Sequence, residues 1–382
     1  MAKRPIFQDV SEDTPRSAPA GGGIIDAVPR GTRSAIRLWL QVIFVMVTAM
    51  IVLGGATRLT GSGLSIVEWK PVTGVLPPMD EAGWVAEFNA YKQIPQYSEI
   101  NPDMDLAGFR KIYWWEWSHR LLGRLIGLVW AAGFTFFWAT KRIPAGWTPR
   151  LLGLGVLGGL QGGIGWWMVH SGVATTTLTS VASYRLAIHL GLAFAILGLI
   201  SWQVMQLSRP ESELIRARRA GEAKLFSMST GLMHLAFLQV LIGALVAGID
   251  AGRQYTGWPA MGGEWIPAGI WDSASGWRNF FENPALVQFI HRMTGYLLTI
   301  FAVIVWRRAH RSPHPVTRGA FMVILIAAAV QVTLGILNVL HASPLGLALI
   351  HQLGAVALFT LIIRARHHAR YPFETSVRGT IK

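Results

Sequence analysis

The chain has 382 residues, of which 52% are hydrophobic and only 14% charged, and it carries no cysteine. Lys and Arg number 34 against 20 Asp and Glu, a formal net charge of +14. With its apolar residues gathered into long stretches, the chain is not a soluble globule. Without cysteine, disulfides, thiolate metal sites, iron–sulfur clusters and covalently attached c-type haem are excluded.

In chain order, residues 1–35 read as a cytoplasmic tail whose first part, rich in Ala, Gly, Pro and Ser, lacks the composition to fold. It has no apolar region of a cleaved secretory signal and no Arg-rich, acid-poor transit character, which favours a bacterial inner membrane. Eight apolar stretches follow, at 36–57, 113–139, 149–170, 184–207, 226–249, 284–306, 317–340 and 345–365. Each has the length of about 20 residues that crosses a roughly 30 Å hydrocarbon core. Backbone groups in lipid must be satisfied within the segment, so the spans are predicted to be helices. The expected class is an all-α polytopic membrane protein.

A basic linker at 209–225 divides the spans into an N-terminal half (36–208) and a C-terminal half (226–366), followed by a tail at 367–382. The segments 1–37, 139–150, 207–224, 307–318 and 364–382 alternate along the chain and hold 23 of the 34 basic residues but 8 of the 20 acidic ones. By the positive-inside rule they face the cytoplasm, together with both termini. The charge is therefore a loop effect, and nucleic acid is not an expected partner.

His119, His189, His291 and His351 stand in the second, fourth, sixth and eighth stretches, each near the outer end. Two share a pattern, His119-Arg-Leu-Leu-Gly123 and His291-Arg-Met-Thr-Gly295. Spans three and seven share Gln161-Gly-Gly-Ile-Gly165 and Gln331-Val-Thr-Leu-Gly335. The expected architecture is two four-helix bundles related as a parallel repeat. An ionisable residue in a membrane is costly and functional by default. A lone histidine could line a pore, relay protons or bond another helix. Two repeated pairs at one depth point instead to two metal centres, and with no thiolate available the metal is haem iron between imidazoles.

Glu116 lies three residues before His119 and so shares its helix face, whereas the counterpart before His291 is Gln288. Glu116 could move protons or stabilise developing positive charge near a haem edge, or it could be an interfacial carboxylate paired with Arg120 or Arg58. Gly123 and Gly295 either let a flat macrocycle approach or serve close helix packing. Arg58, Arg120, Arg124, Arg185 and Arg292 are candidates for haem propionates or for snorkelling. His170 and His341 at outer span ends are spare or interfacial, His234 structural, and His310, His314, His367 and His368 belong to basic loops. The outer loops 58–112 and 250–283, rich in tryptophan, either cap the two sites or form interfacial belts.

Thr57-Arg-Leu-Thr-Gly-Ser-Gly-Leu-Ser65, Val67-Glu-Trp-Lys-Pro71, Glu116-Trp-Ser-His-Arg120, Tyr184-Arg-Leu-Ala-Ile-His189, Phe289-Ile-His-Arg292 and His351-Gln352 together resemble the haem A synthase family, in its cysteine-free bacterial and mitochondrial branch. The resemblance spans about residues 40–365. It implies oxidation of a methyl substituent of haem o to a formyl group, giving haem a for cytochrome oxidase. It further implies haem b between His291 and His351, substrate haem o between His119 and His189, and catalysis near Glu116. Membrane lipid, haem O synthase, an electron donor and further copies of the chain are the partners this reading admits. The alternative is a bis-histidine dihaem cytochrome b for membrane electron transfer, from which the asymmetry of Glu116 and Gln288 distinguishes it.

Overall fold

The computed structural model describes residues 30–174 and 178–373. Its helices are α1 (Arg30–Leu59), α2 (Glu81–Tyr91), α3 (Leu106–Ala139), α4 (Thr148–Val173), α5 (Ser183–Leu207), α6 (Glu211–Arg219), α7 (Ala223–Gly248), α8 (Ala251–Gln254), α9 (Asn279–Glu282), α10 (Pro284–Ala309), α11 (Pro315–Leu340) and α12 (Leu345–Arg370). Among the described residues eight of these, α1, α3, α4, α5, α7, α10, α11 and α12, are long and apolar enough to cross a membrane. The eight expected spans are all present. Several starts carry the expected signals: Asp105 caps α3 by accepting from Gly108 N at 2.7 Å, and Asn283 caps α10 by accepting from Leu286 N at 3.1 Å, ahead of Pro284.

The packing repeats. In the first half α1 packs on α3 and α5, and α4 on α3 and α5. In the second, α7 packs on α10 and α12, and α11 on α10 and α12. Thus α1, α3, α4 and α5 correspond to α7, α10, α11 and α12, as a parallel four-helix repeat requires. The halves meet through α5 against α7 and α12, and through α1 against α12. One apolar core runs through this junction, with Leu40, Phe194, Leu197, Leu232, Phe321 and Phe359 buried together. Outward-facing residues such as Val45, Leu128, Val156 and Ile326 are exposed, which suits contact with lipid rather than water.

Three boundaries differ from expectation. Helix α3 begins seven residues before position 113, because its first turns leave the apolar span and pack Phe109 and Tyr113 against Trp84, Phe88 and Tyr91 of α2 and its flank. The long outer segment is therefore an ordered cap with its own small core. At the opposite end α12 continues to Arg370, so the start of the expected tail is helical. His367 and His368 are not loop residues but buried, because Trp202 and Tyr371 close over His367 and Phe373 over His368. Helix α1 already begins at Arg30; the tail expected over 1–35 otherwise falls on 1–29, outside the described residues, as do 374–382. The linker 209–225 is also ordered: it contains α6, and Glu222 N donates to Ala369 O at 2.9 Å.

Candidate cofactor sites

Each of the four histidines stands on an even-numbered span and rests against a glycine of the span before it. A β-carbon on Gly54 of α1 would lie 3.0 Å from His119 Cε1 on α3, and one on Gly165 of α4 would lie 2.9 Å from His189 Cε1 on α5. The second half repeats this: Gly243 of α7 with His291 on α10 at 3.1 Å, and Gly335 of α11 with His351 on α12 at 3.0 Å. Even a methyl group there would crowd the ring, and a bulkier side chain would push it from its seat. All four imidazoles are half-buried. His119 and His189 stand on α3 and α5, which pack on the same two helices of the first half, and His291 and His351 stand on α10 and α12, which do the same in the second. Each half of the fold thus carries two of the four predicted residues.

A carboxamide fixes three of these four helix pairs. Gln161 Nε2 donates to the His189 main-chain carbonyl at 3.0 Å, Gln239 Nε2 to that of His291 at 2.9 Å, and Gln331 Nε2 to that of His351 at 2.8 Å. Gln239 also receives the Thr294 hydroxyl. Sequence reasoning identified Gln161 and Gln331 but missed Gln239, although the signal was present: Gln239-Val-Leu-Ile-Gly243 has the same spacing. Gly123 and Gly295 face neighbouring side chains rather than open space. A β-carbon on Gly123 would lie 3.5 Å from Met50 Cε, and one on Gly295 3.2 Å from Gln239 Nε2. Both glycines thus lie at contacts between neighbouring helices.

Glu116 is 1% exposed and fully engaged. Its Oε2 accepts from Ser65 Oγ and Ile66 N, both at 2.8 Å, and its Oε1 from Arg120 Nη2 at 2.6 Å and Nε at 3.1 Å. Arg120 also donates to Ile66 O at 2.7 Å and Glu68 O at 3.1 Å. The carboxylate and guanidinium together bind the start of the outer cap to α3. In the second half Gln288 Nε2 donates to Tyr255 O at 3.1 Å, and Arg292 donates to Tyr255 O at 3.0 Å and Gly257 O at 2.9 Å. The two caps are anchored alike, but only the first anchor is an ion pair.

The remaining arginines also have protein partners. Arg58 pairs with Asp250 at 2.8 Å and donates to Gly248 O. Arg124 donates to Lys70 O and Pro71 O, both at 2.9 Å, and Arg185 to Trp167 O at 2.7 Å. Arg124 Nη1 and Arg58 Nε are among the buried donors without a partner on this side, with Arg110 Nε and Trp117 Nε1. His170, beside Trp166, and His341, whose Nδ1 donates to Leu337 O at 2.8 Å, are exposed span-end residues. Outside the spans, Glu68 and Glu87 hold the Lys70 ammonium pKa above its ordinary value, so the first cap is charged at its rim.

These sites fit haem. Among the described residues no three His, Asp or Glu side chains gather to hold a bare metal ion. Two imidazoles in one bundle would suit a haem iron, whose remaining ligands the porphyrin supplies. Buried Nδ1 atoms of His119 and His351 have no protein partner, and the glycine behind each ring leaves it a seat that a β-carbon would fill.

Fold and site define a multi-pass α-helical membrane protein built as two four-helix bundles, each presenting a histidine pair. The family described as Cytochrome oxidase assembly protein matches residues 37–363. The chain is 75% identical over 382 residues to the Heme A synthase of Paracoccus denitrificans (strain Pd 1222), covering both chains fully. It is 58% identical over 379 residues to that of Ruegeria pomeroyi and 57% over 381 to that of Ruegeria sp. (strain TM1040), covering 99% of this chain and all of each relative. The chain belongs to the haem A synthase family of cytochrome oxidase assembly proteins.

Proposed function

We propose that the chain is a haem-dependent membrane oxidoreductase that converts haem o to haem a, oxidising a methyl substituent of the porphyrin to a formyl group. The observation that carries this reading is full-length identity of 75% to a Heme A synthase, in a fold that places two of the four histidines in each half. The N-terminal unit, 36–208, takes haem o between His119 and His189. The C-terminal unit, 226–366, holds haem b between His291 and His351. A bis-imidazole haem supplies one-electron transfer at a fixed position.

The protein's own contribution is placement and electrostatics. Gly54, Gly165, Gly243 and Gly335 set the depth of each ring, and Gln161, Gln239 and Gln331 hold their helices in register. Glu116 is the acidic group of the substrate site, held by Arg120, Ser65 and Ile66 N. Its negative charge favours positive charge developing beside it, and a carboxylate in this position can accept a proton. The uncharged Gln288 in the matching place suits a site that only carries electrons. The cap over residues 62–109, with Trp84, Phe88, Tyr91 and Phe109 packed together, limits water at the outer mouth.

The basic segments support an inner-membrane location with both termini cytoplasmic and both sites toward the outer side. Haem o then arrives through membrane lipid or from haem O synthase, and a separate donor or acceptor exchanges electrons. The test is purified chain supplied with haem o and reductant in air, followed by pigment extraction. Formyl-bearing haem is expected; recovery of only unmodified haem overturns the proposal.

A further inference from the structure

Three of the four histidine helices are pinned at the histidine itself. Gln161, Gln239 and Gln331 each precede the ring-seating glycine by four residues and donate to the histidine's own carbonyl. The residue four before Gly54 is Met50. It fills the same space, since its Cε stands by Gly123 much as Gln239 Nε2 stands by Gly295. A thioether cannot donate a hydrogen bond. Helix α1 therefore offers no side-chain donor at Met50 to the carbonyl of His119. The nearest polar ties between α1 and α3 fall to either side, Thr57 Oγ1 to Trp115 O at 3.4 Å and Trp39 Nε1 to Val129 O at 3.0 Å. His119 Nδ1 is also buried without a partner. His351 shares that feature, but its carbonyl is held by Gln331.

We propose that Met50 is a positioning residue that leaves His119 the most loosely held of the four ligands, so that haem exchanges at the His119–His189 pair and stays at the His291–His351 pair, a role that rests on His119 and His189 being the substrate pair. A substrate site must let go of its product at every turnover, whereas a resident cofactor must not leave. Two axial ligands on rigidly registered helices would hold haem equally well in both halves. Omitting one carboxamide makes one side of one bundle compliant without removing a ligand. Gly123 opposite Met50 leaves room for glutamine, as Gly295 does opposite Gln239, so the omission is not imposed by space.

The decisive experiment uses the full chain loaded with haem o and mixed with apomyoglobin as haem acceptor, with transfer followed by visible absorbance. Met50→Gln should slow transfer from the N-terminal site by about three- to eighteen-fold, the span expected for one interhelical hydrogen bond in a membrane. Met50→Leu, which also lacks a donor, should keep the parent rate. The converse variant Gln331→Met should make the C-terminal haem transferable, with the low-spin bis-imidazole electron paramagnetic resonance signal retained before release. Parent-rate transfer in Met50→Gln, or firm retention in Gln331→Met, overturns the role of Met50. If Met50→Gln does not fold, Gln331→Met alone decides. The underlying site assignment fails differently: His119→Ala would then keep full haem o binding while His291→Ala lost it.

Discussion

Gly243 stands so close to His291 that a β-carbon on it would lie 3.1 Å from the imidazole Cε1. The same relationship links Gly54 with His119, Gly165 with His189 and Gly335 with His351, at 2.9 to 3.0 Å. Such contacts are tighter than ordinary packing, so the glycine fixes where the ring stands. Alanine asks the ring to yield by a few tenths of an ångström, but valine adds two further methyls and overpacks the seat. Gly243→Val is therefore expected to lose the C-terminal haem on purification while Gly243→Ala keeps most of it. Gly54→Val should spare that haem and abolish haem o binding. The haem-to-protein ratio of each purified variant checks this, and full haem content in Gly243→Val would contradict it.

Glu116 and Arg120 form a pair whose side chains are 2% and 14% exposed. Removing one partner of a buried ion pair typically costs about 3–5 kcal/mol, because the other charge is left uncompensated. Glu116→Ala should therefore loosen the cap at Ser65 and Ile66 and lower the unfolding midpoint in detergent. Glu116→Gln keeps one carbonyl oxygen, enough for Ser65 and Ile66 N or for Arg120 but not for both, and should preserve the cap in part. Limited proteolysis across residues 62–71 separates the two variants. If Glu116→Gln retains the cap but yields no formyl product, the charge is used in the reaction. Product at the parent rate would leave Glu116 an anchor only.

Hydropathy made the eight spans legible, because nothing but a helix satisfies its backbone in lipid. His119, His189, His291 and His351 were equally legible as candidates, since an ionisable group in a membrane stands out against an apolar background. What the sequence hid was partner identity. Helical spacing places Gly123 on the face of His119 but does not say that Met50 fills the space opposite. The start of α3 was missed because Leu106–Ile112 is too polar for a span and gains its helix from Phe109 packing against α2. Glu116 could be recognised as singular, yet its engagement by Ser65 and Ile66 N depends on a chain turn some 50 residues away.

Gln352, next to His351, donates from Nε2 to Ile51 O of α1 at 2.8 Å, joining the C-terminal site to the N-terminal half. A β-carbon on Gly55 would overlap Gln352 Oε1. Interhelical hydrogen bonds in membranes average about 0.6 kcal/mol and reach about 1.7. Gln352→Leu should thus be mildly destabilising. Gly55→Val should cost more, because the valine must displace the whole Gln352 amide, losing its hydrogen bond and overpacking the contact. Unfolding titrations of both variants in mixed micelles give the order, and a larger loss for Gln352→Leu than for Gly55→Val would refute this account.

Arg58 and Asp250 tie the outer end of α1 to the end of α7, with side chains 16% and 41% exposed. A pair this accessible to solvent is worth about 0–1 kcal/mol. Asp250 is also held at a φ of 53°, in the left-handed region, where alanine is disfavoured by about 1–2 kcal/mol and glycine is not. The two effects separate by substitution. Asp250→Asn keeps a hydrogen-bond acceptor for Arg58 and tolerates the backbone, so it should remain closest to the parent. Asp250→Gly loses the pair but is relieved of the backbone penalty, whereas Asp250→Ala loses the pair and bears that penalty in full. The expected order of unfolding midpoints is parent, Asp250→Asn, Asp250→Gly, then Asp250→Ala. Repeating the series on Arg58→Ala should erase the part due to the pair and leave the gap between glycine and alanine unchanged. Equal midpoints for Asp250→Gly and Asp250→Ala would mean that the left-handed turn is not what Asp250 is there to hold.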